Sequence, residues 1–479
     1  MKKDVKRERN YTYYDLTQSM CRTCRKIIDA QIIFRNDKVY MRSICPEHGE
    51  FEALIASNVD WYLKAINSKQ AADKPRQFSK KITRGCPYDC GLCAWHEKAC
   101  NIPIVSITNV CNLKCPTCIT YIKDDLEYFM SVDEFKKSLK WIIESEEHVD
   151  LINIVGGEPT LHPELLTLIK LCKRKEIGRI TLYSNGLKIA KDEAFVRKLA
   201  EQGVYVILSF NTFDRNTAEK MYGKDVLEDK LKALGNLEKH GVQTTLWTLL
   251  IKDLNDKEIS RIIDLVLKKD FIRSITIQNM AYNGFEVSKF ASRKYLTIDE
   301  TIFSIVKKAK KIFINDDFSP LPGSHPLCYS ACHLLQEGDF ILPLKRLFVE
   351  DGYYKLLGNK YMIRPEENFQ QILSDKISEI SDGKKSLPHS ERILLILKKM
   401  ISMLYPEGKH LSIFERQKKA EKFVKTIYIH APMDEDTFDI SRVIRCGDLV
   451  PDIKKTFIPA CSYNLLYRIN DGRFHKERT

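Results

Sequence analysis

The sequence predicts an α/β protein: a partial (β/α)6 barrel, preceded by a cysteine-rich metal-binding region and followed by an α+β domain with further cysteines. Between residues 102 and 300, apolar runs of strand length alternate with segments of helical periodicity, as a parallel barrel requires. Six such units, rather than eight, indicate an incomplete barrel whose open side admits large substrates. Past residue 300 the pattern changes. The predicted regions are 1–66, 67–101, 102–300 and 301–479.

The number of cysteines is the second observation behind this prediction. The chain has 479 residues, which suits two or three domains, and it contains fifteen cysteines. Most of them fall in tight groups before residue 120. In a reducing compartment, clustered cysteines are metal ligands rather than disulfide partners. We therefore expect several metal centres.

Charge and hydropathy limit the partners and the location. There are 77 basic and 64 acidic residues, a net charge of +13. This excess favours anionic partners, such as nucleic acid, phospholipid headgroups or phosphorylated small molecules, although a solvated lysine-rich surface explains it equally well. The first ten residues are charged, and no apolar run approaches the ~20 residues that span a bilayer. We expect a cytoplasmic protein, with peripheral contact to a membrane surface permitted.

The first cysteine group predicts a small tetrahedral metal site. Two cysteines two residues apart are followed, twenty residues later, by a Cys-Pro-Glu-His-Gly sequence. Strand-like runs between them predict a hairpin, which would bring both pairs together. Thiolates in this arrangement bind either zinc or a single rubredoxin-like iron, and the sequence leaves both open. The predicted ligands are Cys21, Cys24, Cys45 and, as the fourth, His48.

The second group, Cys86-Pro-Tyr-Asp-Cys90-Gly-Leu-Cys93, predicts an auxiliary [4Fe–4S] cluster. Cys100 follows seven residues later and could complete a set of four thiolates. A fully ligated cluster of this kind would serve electron transfer. Alternatively, Cys100 is a bystander and the fourth ligand lies elsewhere.

The central group is Cys111-Asn-Leu-Lys-Cys115-Pro-Thr-Cys118, directly after the first predicted barrel strand. Three thiolates leave one iron of a cubane without a protein ligand, so that iron can bind another molecule. The alternatives are a zinc knuckle or buried free cysteines. A second motif favours the cluster with an open iron. Val155-Gly156-Gly157-Glu158-Pro159 follows the second predicted strand, although it could also be an ordinary strand-to-helix turn.

Together these two motifs resemble the signature of the radical S-adenosylmethionine (SAM) superfamily. The resemblance implies a partial (β/α)6 radical SAM barrel, a catalytic [4Fe–4S] cluster on Cys111, Cys115 and Cys118, and SAM on the open iron. It also implies that Gly156, Gly157, Glu158 and Pro159 hold the SAM amino group. One residue departs from the usual pattern, since Thr117 stands where the superfamily often has an aromatic residue.

Polar residues at the ends of further strands are candidates to contact SAM or substrate. The carboxyl ends of barrel strands face the active site. For each of these residues the alternative is simple strand-end capping. The candidates are Ser184, Asn185, Ser209 and Gln278.

The last region predicts a third cluster and a hydrophobic helix. Four cysteines separated by long stretches, Cys328, Cys332, Cys446 and Cys461, are enough to ligate an auxiliary [4Fe–4S] cluster. Residues 387–404 are apolar with a basic interruption. This helix could line an apolar groove, lie in a membrane interface or pack in the core.

The order of motifs along the chain resembles one multi-cluster radical SAM family, which contains archaeal tetraether lipid synthase and dihydropterin methylase-like proteins. The resemblance extends from about residue 15 to residue 468, including the terminal His-Ala-Pro-Met-Asp and Ile-Pro-Ala-Cys sequences. Two departures affect the third cluster. Gly447 follows Cys446 where the family often has a second cysteine, and Gly323 replaces a cysteine in the proline-rich loop.

The resemblance implies that a ferredoxin-like or flavodoxin-like protein donates an electron and that SAM is cleaved to a 5′-deoxyadenosyl radical, which abstracts hydrogen from an unactivated carbon. The main hypothesis is carbon–carbon coupling of isoprenoid lipid chains. The alternative is a methylase that acts on a pterin or another small molecule. No RNA-binding motif supports a tRNA-modifying enzyme. A non-enzymatic electron carrier would not need the Gly-Gly-Glu motif.

Overall fold

The N-terminal region forms an antiparallel sheet of four strands in sequence order. The computed structural model describes residues 9–68, 72–78, 80–119, 126–283, 293–348, 350–358, 360–383, 387–452 and 456–473. The predicted hairpin is present, and Asn36 and Asp37 form its turn with positive φ angles. This region contains strands β1 (Thr12–Met20), β2 (Ile27–Arg35), β3 (Lys38–Cys45) and β4 (Gly49–Ala56), and helix α1 (Val59–Asn67).

The middle of the chain forms the predicted partial barrel. Six strands pair in parallel and in chain order, each within two residues of the predicted position. The strands are β5 (Ile102–Ser106), β6 (Ile152–Val155), β7 (Ile180–Ser184), β8 (Tyr205–Ser209), β9 (Thr244–Leu250) and β10 (Ile272–Asn279). The helices are α2 (Val132–Glu146), α3 (Leu165–Leu171), α4 (Leu187–Lys191), α5 (Glu193–Glu201), α6 (Arg215–Tyr222), α7 (Leu227–Lys239), α8 (Ile259–Lys268) and α9 (Ile298–Lys308).

The helices pack on the outside of the sheet through one apolar face each. Helix α2 shows why the sequence folds this way. Ser131 and Glu134 form a capping box at its start, which satisfies two free N–H groups, and Phe135, Leu139 and Ile142 recur at helical spacing and are buried. Together with the outer faces of the strands, such residues form the main hydrophobic core.

The C-terminal region extends the barrel sheet at both edges. Strand β14 pairs in parallel with β10, β12 pairs antiparallel with β14, and β15 pairs in parallel with β5 at the opposite edge. These strands are β11 (Ser319–Pro320), β12 (Tyr329–Glu337), β13 (Phe340–Pro343), β14 (Val424–His430), β15 (Asp448–Asp452) and β16 (Thr456–Pro459).

The two extended edges meet across the side of the barrel. The hydroxyl of Tyr329 on β12 donates a hydrogen bond of 2.5 Å to Oδ2 of Asp448 on β15. The prediction of a partial barrel is therefore confirmed, but strands of the C-terminal region cover the side that was expected to be open. The sequence does not reveal this, since the pairing joins segments more than 100 residues apart.

The remaining helices form a second core beside the barrel. Helix α12, predicted from its hydrophobicity, buries Ile393, Ile396, Leu397, Met400 and Leu404 in this core, so it is a core helix. No helix in the described ranges has the length and apolar character needed to cross a bilayer. These helices are α10 (Glu350–Leu357), α11 (Glu367–Ser381), α12 (Ser390–Leu404), α13 (Ile413–Ala420), α14 (Ile440–Val443) and α15 (Ala460–Ser462).

We predict that Gly157→Ala destabilises the protein by about 1–3 kcal/mol, since an added Cβ would overlap the carbonyl oxygens of Val110 and Asn109. Gly235→Ala is the matched control. Gly235 lies inside helix α7 with no atom within 4 Å of an added Cβ, so alanine should stabilise by up to about 1 kcal/mol. Chemical denaturation of both variants measures the difference. Equal stability of the two variants would contradict the close approach.

Candidate functional site

A cavity of about 430 Å³ lies inside the extended barrel. Its wall is made by the inward-facing residues of the barrel strands and of β12, β14 and β15. Most of the predicted site residues of the barrel line it. These residues are Cys111, Cys115, Cys118, Gly156, Gly157, Glu158, Pro159, Ser184, Asn185, Ser209 and Gln278.

The loop after β5 brings three of these thiols to the cavity. Burial raises the pKa of both the Cys111 and the Cys115 thiols to about 12. The backbone N–H of Leu113 lies 3.4 Å from Cys111 Sγ, in position to donate to a thiolate. Such desolvated thiols lose their protons when they bind a metal. The three residues therefore fit an iron–sulfur cluster.

Glu158 connects the ends of β6 and β7. It is 1% exposed, and burial raises its pKa. Its Oε1 accepts hydrogen bonds from the backbone N–H and the hydroxyl of Thr160 and from the hydroxyl of Ser184, at 3.1, 2.6 and 3.0 Å. Its Oε2 accepts a hydrogen bond of 2.6 Å from the backbone N–H of Asn185. Four donors offset the cost of burying this carboxylate.

The two glycines before Glu158 allow backbone to approach backbone. The N–H groups of Gly157 and Glu158 donate 2.8 Å hydrogen bonds to the carbonyls of Thr108 and Val110, in the segment that leads to the cluster loop. The motif therefore fixes the position of the loop that carries Cys111. Pro159 starts a short 3-10 turn directly after it.

The other polar candidates lie around the same rim. Asn185 Nδ2 donates to Oδ1 of Asn112 in the cluster loop at 2.7 Å. Ser209 shares a hydrogen bond of 3.3 Å with the hydroxyl of Tyr222, whereas Gln278 is 4% exposed and faces the cavity from β10. Their proposed contacts with SAM or substrate stay predictions.

Sequence reasoning missed a buried cation beside the cluster loop. Lys230 on α7 is 2% exposed, and its Nζ donates to the carbonyls of Asn185 and Ser209 at 2.6 and 2.7 Å. The charges of Cys115 and Glu158 partly offset the desolvation that lowers its pKa to about 8. A lysine at helical spacing looks like a surface residue, so no pattern in the sequence could identify it.

The second cysteine group lies in a small separate cavity. Cys86, Cys90 and Cys93 line it together with Val443 and Pro459. Cys100, proposed as the fourth ligand, does not line this cavity. It is 4% exposed in the main hydrophobic core, because it directly precedes the first barrel strand. The alternative that Cys100 is a bystander is the one that this geometry favours.

The C-terminal cysteines separate into three and one. Cys328, Cys446 and Cys461 line the barrel cavity, and we call them the third-site cysteines. The guanidinium of the buried Arg442 donates from Nε to Cys328 Sγ at 3.3 Å. The backbone N–H of Met433 lies 3.4 Å from Cys461 Sγ.

Cys332 was predicted with this set, but the structure places it apart from the other three. The residue is fully buried in the main core on the opposite face of β12, because alternate residues of a strand face opposite sides of the sheet. The third-site cysteines, with the buried Arg442 beside them, stay the candidates for a third cluster.

The four residues predicted as ligands of the N-terminal site lie together. Sγ and Nδ1 atoms of Cys21, Cys24, Cys45 and His48 all lie within 4.8 Å of one another. Cys45 Sγ is 3.4 Å from His48 Nδ1, and Cys24 Sγ is 4.0 Å from Cys45 Sγ. This donor set fits a single tetrahedral ion.

We predict that Cys328→Ala and Cys446→Ala each lower the iron bound per chain, whereas Cys332→Ala leaves it unchanged. The first two remove cavity-facing thiols, and the third removes a thiol packed in the core. Iron and acid-labile sulfide analysis of anaerobically reconstituted proteins measures this. Loss of iron in Cys332→Ala alone would overturn the assignment of the third-site cysteines.

Comparisons with known proteins agree with this geometry. Residues 105–266 match the model of the radical SAM superfamily, and residues 13–57 match the HMPTM N-terminal zinc ribbon domain. A 7,8-dihydro-6-hydroxymethylpterin dimethyltransferase of Methanocaldococcus jannaschii is 27% identical over 94% of this chain and 94% of its own length. A GTP 3′,8-cyclase of Aliarcobacter butzleri is 28% identical over 35% of this chain and 52% of its own length.

Among solved structures, Streptococcus suis SuiB bound to its precursor peptide SuiA aligns with 45% of this chain and 46% of its own, at 18% identity and a TM-score of 0.37. The ribbon match favours zinc over iron at the N-terminal site. The barrel match agrees with the placement of the Cys111 loop and the Gly-Gly-Glu motif. Residues 105–266 therefore form a radical SAM domain, residues 13–57 are similar to the HMPTM zinc ribbon, and the chain is a radical SAM enzyme.

Proposed function

We propose that this enzyme is a radical SAM methylase whose substrate is a pterin or a closely related flat heterocycle. The observation that carries the proposal is a part of the cavity lining, in which stacked aromatic rings stand beside hydroxyl and amide groups. The pterin dimethyltransferase that resembles this chain over nearly its whole length supports the same substrate class.

Aromatic rings form much of the cavity wall opposite the Gly-Gly-Glu motif. Tyr329 and His430 stack with their ring centres 4.1 Å apart and their planes at 3°. Tyr361 and Tyr428 stack at 4.7 Å and 11°. All four line the cavity. Flat faces of this kind suit a planar ring system, since stacked aromatic pairs are favourable beyond the area that they bury.

Hydroxyl and amide side chains occupy the inward faces of the central strands. These polar residues lie on β6, β7, β9, β10 and β14. Where one strand carries several of them, they occupy every second position, because alternate residues of a strand face the same side of the sheet. Such groups would fix the orientation of a heterocycle through its ring nitrogens and oxygens. The residues are Asn153, Thr181, Thr245, Ser274, Thr276, Gln278 and Thr426.

The lipid-coupling hypothesis finds less support in this cavity. A long isoprenoid chain needs an extended apolar tunnel. Apolar side chains make up much of this wall, but hydroxyl and amide groups on β6, β7, β9, β10 and β14 interrupt it. Helix α12, the other candidate for lipid contact, is buried in the second core and does not line the cavity. Lipid coupling therefore serves as the competing outcome of the test.

When bound, SAM on a [4Fe–4S] cluster supplies a 5′-deoxyadenosyl radical. The cluster ligands that we propose are Cys111, Cys115 and Cys118. The chain contributes a walled cavity and a rim on which Glu158, Ser184 and Asn185 are already connected by hydrogen bonds. The auxiliary thiols of the third site face the same space.

We predict that 7,8-dihydro-6-hydroxymethylpterin stimulates formation of 5′-deoxyadenosine by the anaerobically reconstituted enzyme with dithionite and SAM. Liquid chromatography with mass spectrometry measures the nucleoside and detects methylated pterin when a methyl donor is supplied. Cys115→Ala should abolish turnover. Cys172→Ala, which removes a thiol buried in the core away from the cavity, is the matched control and should retain it.

Stimulation by archaeal phospholipid and not by pterin would reject the pterin assignment in favour of lipid coupling. Absence of 5′-deoxyadenosine with every substrate, in protein that binds iron normally, would reject the assignment of Cys111, Cys115 and Cys118 as the catalytic cluster site.

A further inference from the structure

Three carboxylates line the cavity in the described part of the chain: Glu158, Glu421 and Asp448. Both oxygens of Glu158 accept hydrogen bonds from the motif and the strand ends. Glu421 forms an ion pair with Arg179 and accepts a hydrogen bond of 2.8 Å from the hydroxyl of Tyr205. Both oxygens of each of these two carboxylates therefore already have a partner within the protein.

Asp448 differs from the other two. Its Oδ2 accepts a hydrogen bond of 2.5 Å from Tyr329, and no hydrogen bond or ion pair within the described ranges involves its Oδ1. Burial raises the pKa of Asp448, and the charge of the nearby Lys98 opposes this rise. The ammonium group of Lys98 itself donates to the carbonyl of Pro322 at 3.0 Å. A carboxylate with one fixed and one free oxygen thus faces the cavity.

The surroundings of Asp448 are aromatic. Tyr329, which holds Oδ2, stacks on His430, and the charge of Asp448 contributes to raising the pKa of Tyr183 and Tyr361, both on the cavity wall. A flat molecule that hydrogen-bonds to Asp448 would therefore have rings to pack against.

A second polar group in the cavity also lacks a partner. His333 is 2% exposed and lines the cavity, and its Nδ1 is 2.8 Å from the hydroxyl of Tyr353. Its Nε2 is buried without a hydrogen-bond partner among the described residues. Buried polar atoms without partners are costly, so this atom also points to a polar ligand in the cavity.

Pterins carry the complementary group. A ring N–H and the exocyclic amino group project side by side in the plane of the heterocycle, and a carboxylate can accept one hydrogen bond at each oxygen. We propose that Asp448 is the specificity-determining residue that binds the 2-amino, N3–H edge of the pterin, with Tyr329 fixing the carboxylate. This inference rests on the proposed function and deepens it.

Binding of two ligands tests the inference. Lumazine has an oxygen in place of the 2-amino group of pterin and is otherwise the same ring system. The wild-type protein should bind pterin at least about tenfold more tightly than lumazine, since a hydrogen bond to a charged group is lost in lumazine and two oxygens face each other. Fluorescence titration of the reconstituted enzyme measures both affinities without turnover.

Asp448→Asn should reverse this preference. The amide oxygen still accepts from the ring N–H, but the amide NH2 now faces the 2-position and can donate to the lumazine oxygen. We expect at least about tenfold weaker binding of pterin and tighter binding of lumazine. Asp73→Asn, which alters an ion pair on the surface with Lys360, is the matched control and should bind as wild type does.

The outcomes separate the two proposals. If the wild-type protein binds neither ligand, the pterin function itself fails. If it binds both equally, or if folded Asp448→Asn keeps the wild-type preference, the role of Asp448 is overturned while the function stands. If Asp448→Asn does not fold, the affinities of the wild-type protein for pterin and lumazine still test the role of Asp448.

Discussion

The structure depends on one buried carboxylate. Glu158 is removed from water at the end of β6, and an ionised group in such a position is stable only if donors surround it. Its donors come from its own turn and from the end of β7, so the two strand ends cannot move apart without leaving a buried charge unsatisfied. Asn185 then extends the same network to the cluster loop through Asn112. The rim of the cavity is thus rigid before any ligand binds, which is what precise orientation of a reactive group requires.

Three of the cysteine groups are neighbours in space. Val443 and Pro459 line both the small cavity of Cys86, Cys90 and Cys93 and the larger cavity that contains the third-site cysteines. The third-site cysteines in turn share their cavity with the loop of Cys111, Cys115 and Cys118. The zinc ribbon contacts this arrangement from outside. The hydroxyl of Tyr88 donates a hydrogen bond to the carbonyl of Arg25 and accepts one from the N–H of Ile27. One continuous body therefore holds all of the predicted metal centres.

The sequence predicts the barrel strands well because each is a short, mostly buried run rich in apolar residues, and it predicts the ribbon ligands because their spacing is local. It cannot predict partners that are distant along the chain. Cys332 is an example. From the sequence it is a candidate ligand like the other cysteines, and only the alternation of side chains along β12 shows that it points into the core. Asp448 and the aromatic wall were missed for the same reason: their chemistry arises only when β12, β14 and β15 join the barrel edges. Lys230 was missed because the carbonyls that it binds, those of Asn185 and Ser209, are 45 and 21 residues away in the chain.

The position of those last strands has a consequence for how the enzyme is made. Synthesis runs from the N-terminus, so the partial barrel and its Cys111 loop leave the ribosome well before strands β14 (Val424–His430) and β15 (Asp448–Asp452). Until these strands arrive, both edges of the barrel lack their outer neighbours, and Cys446 and Cys461 have not yet reached the cavity that they share with the Cys111 loop.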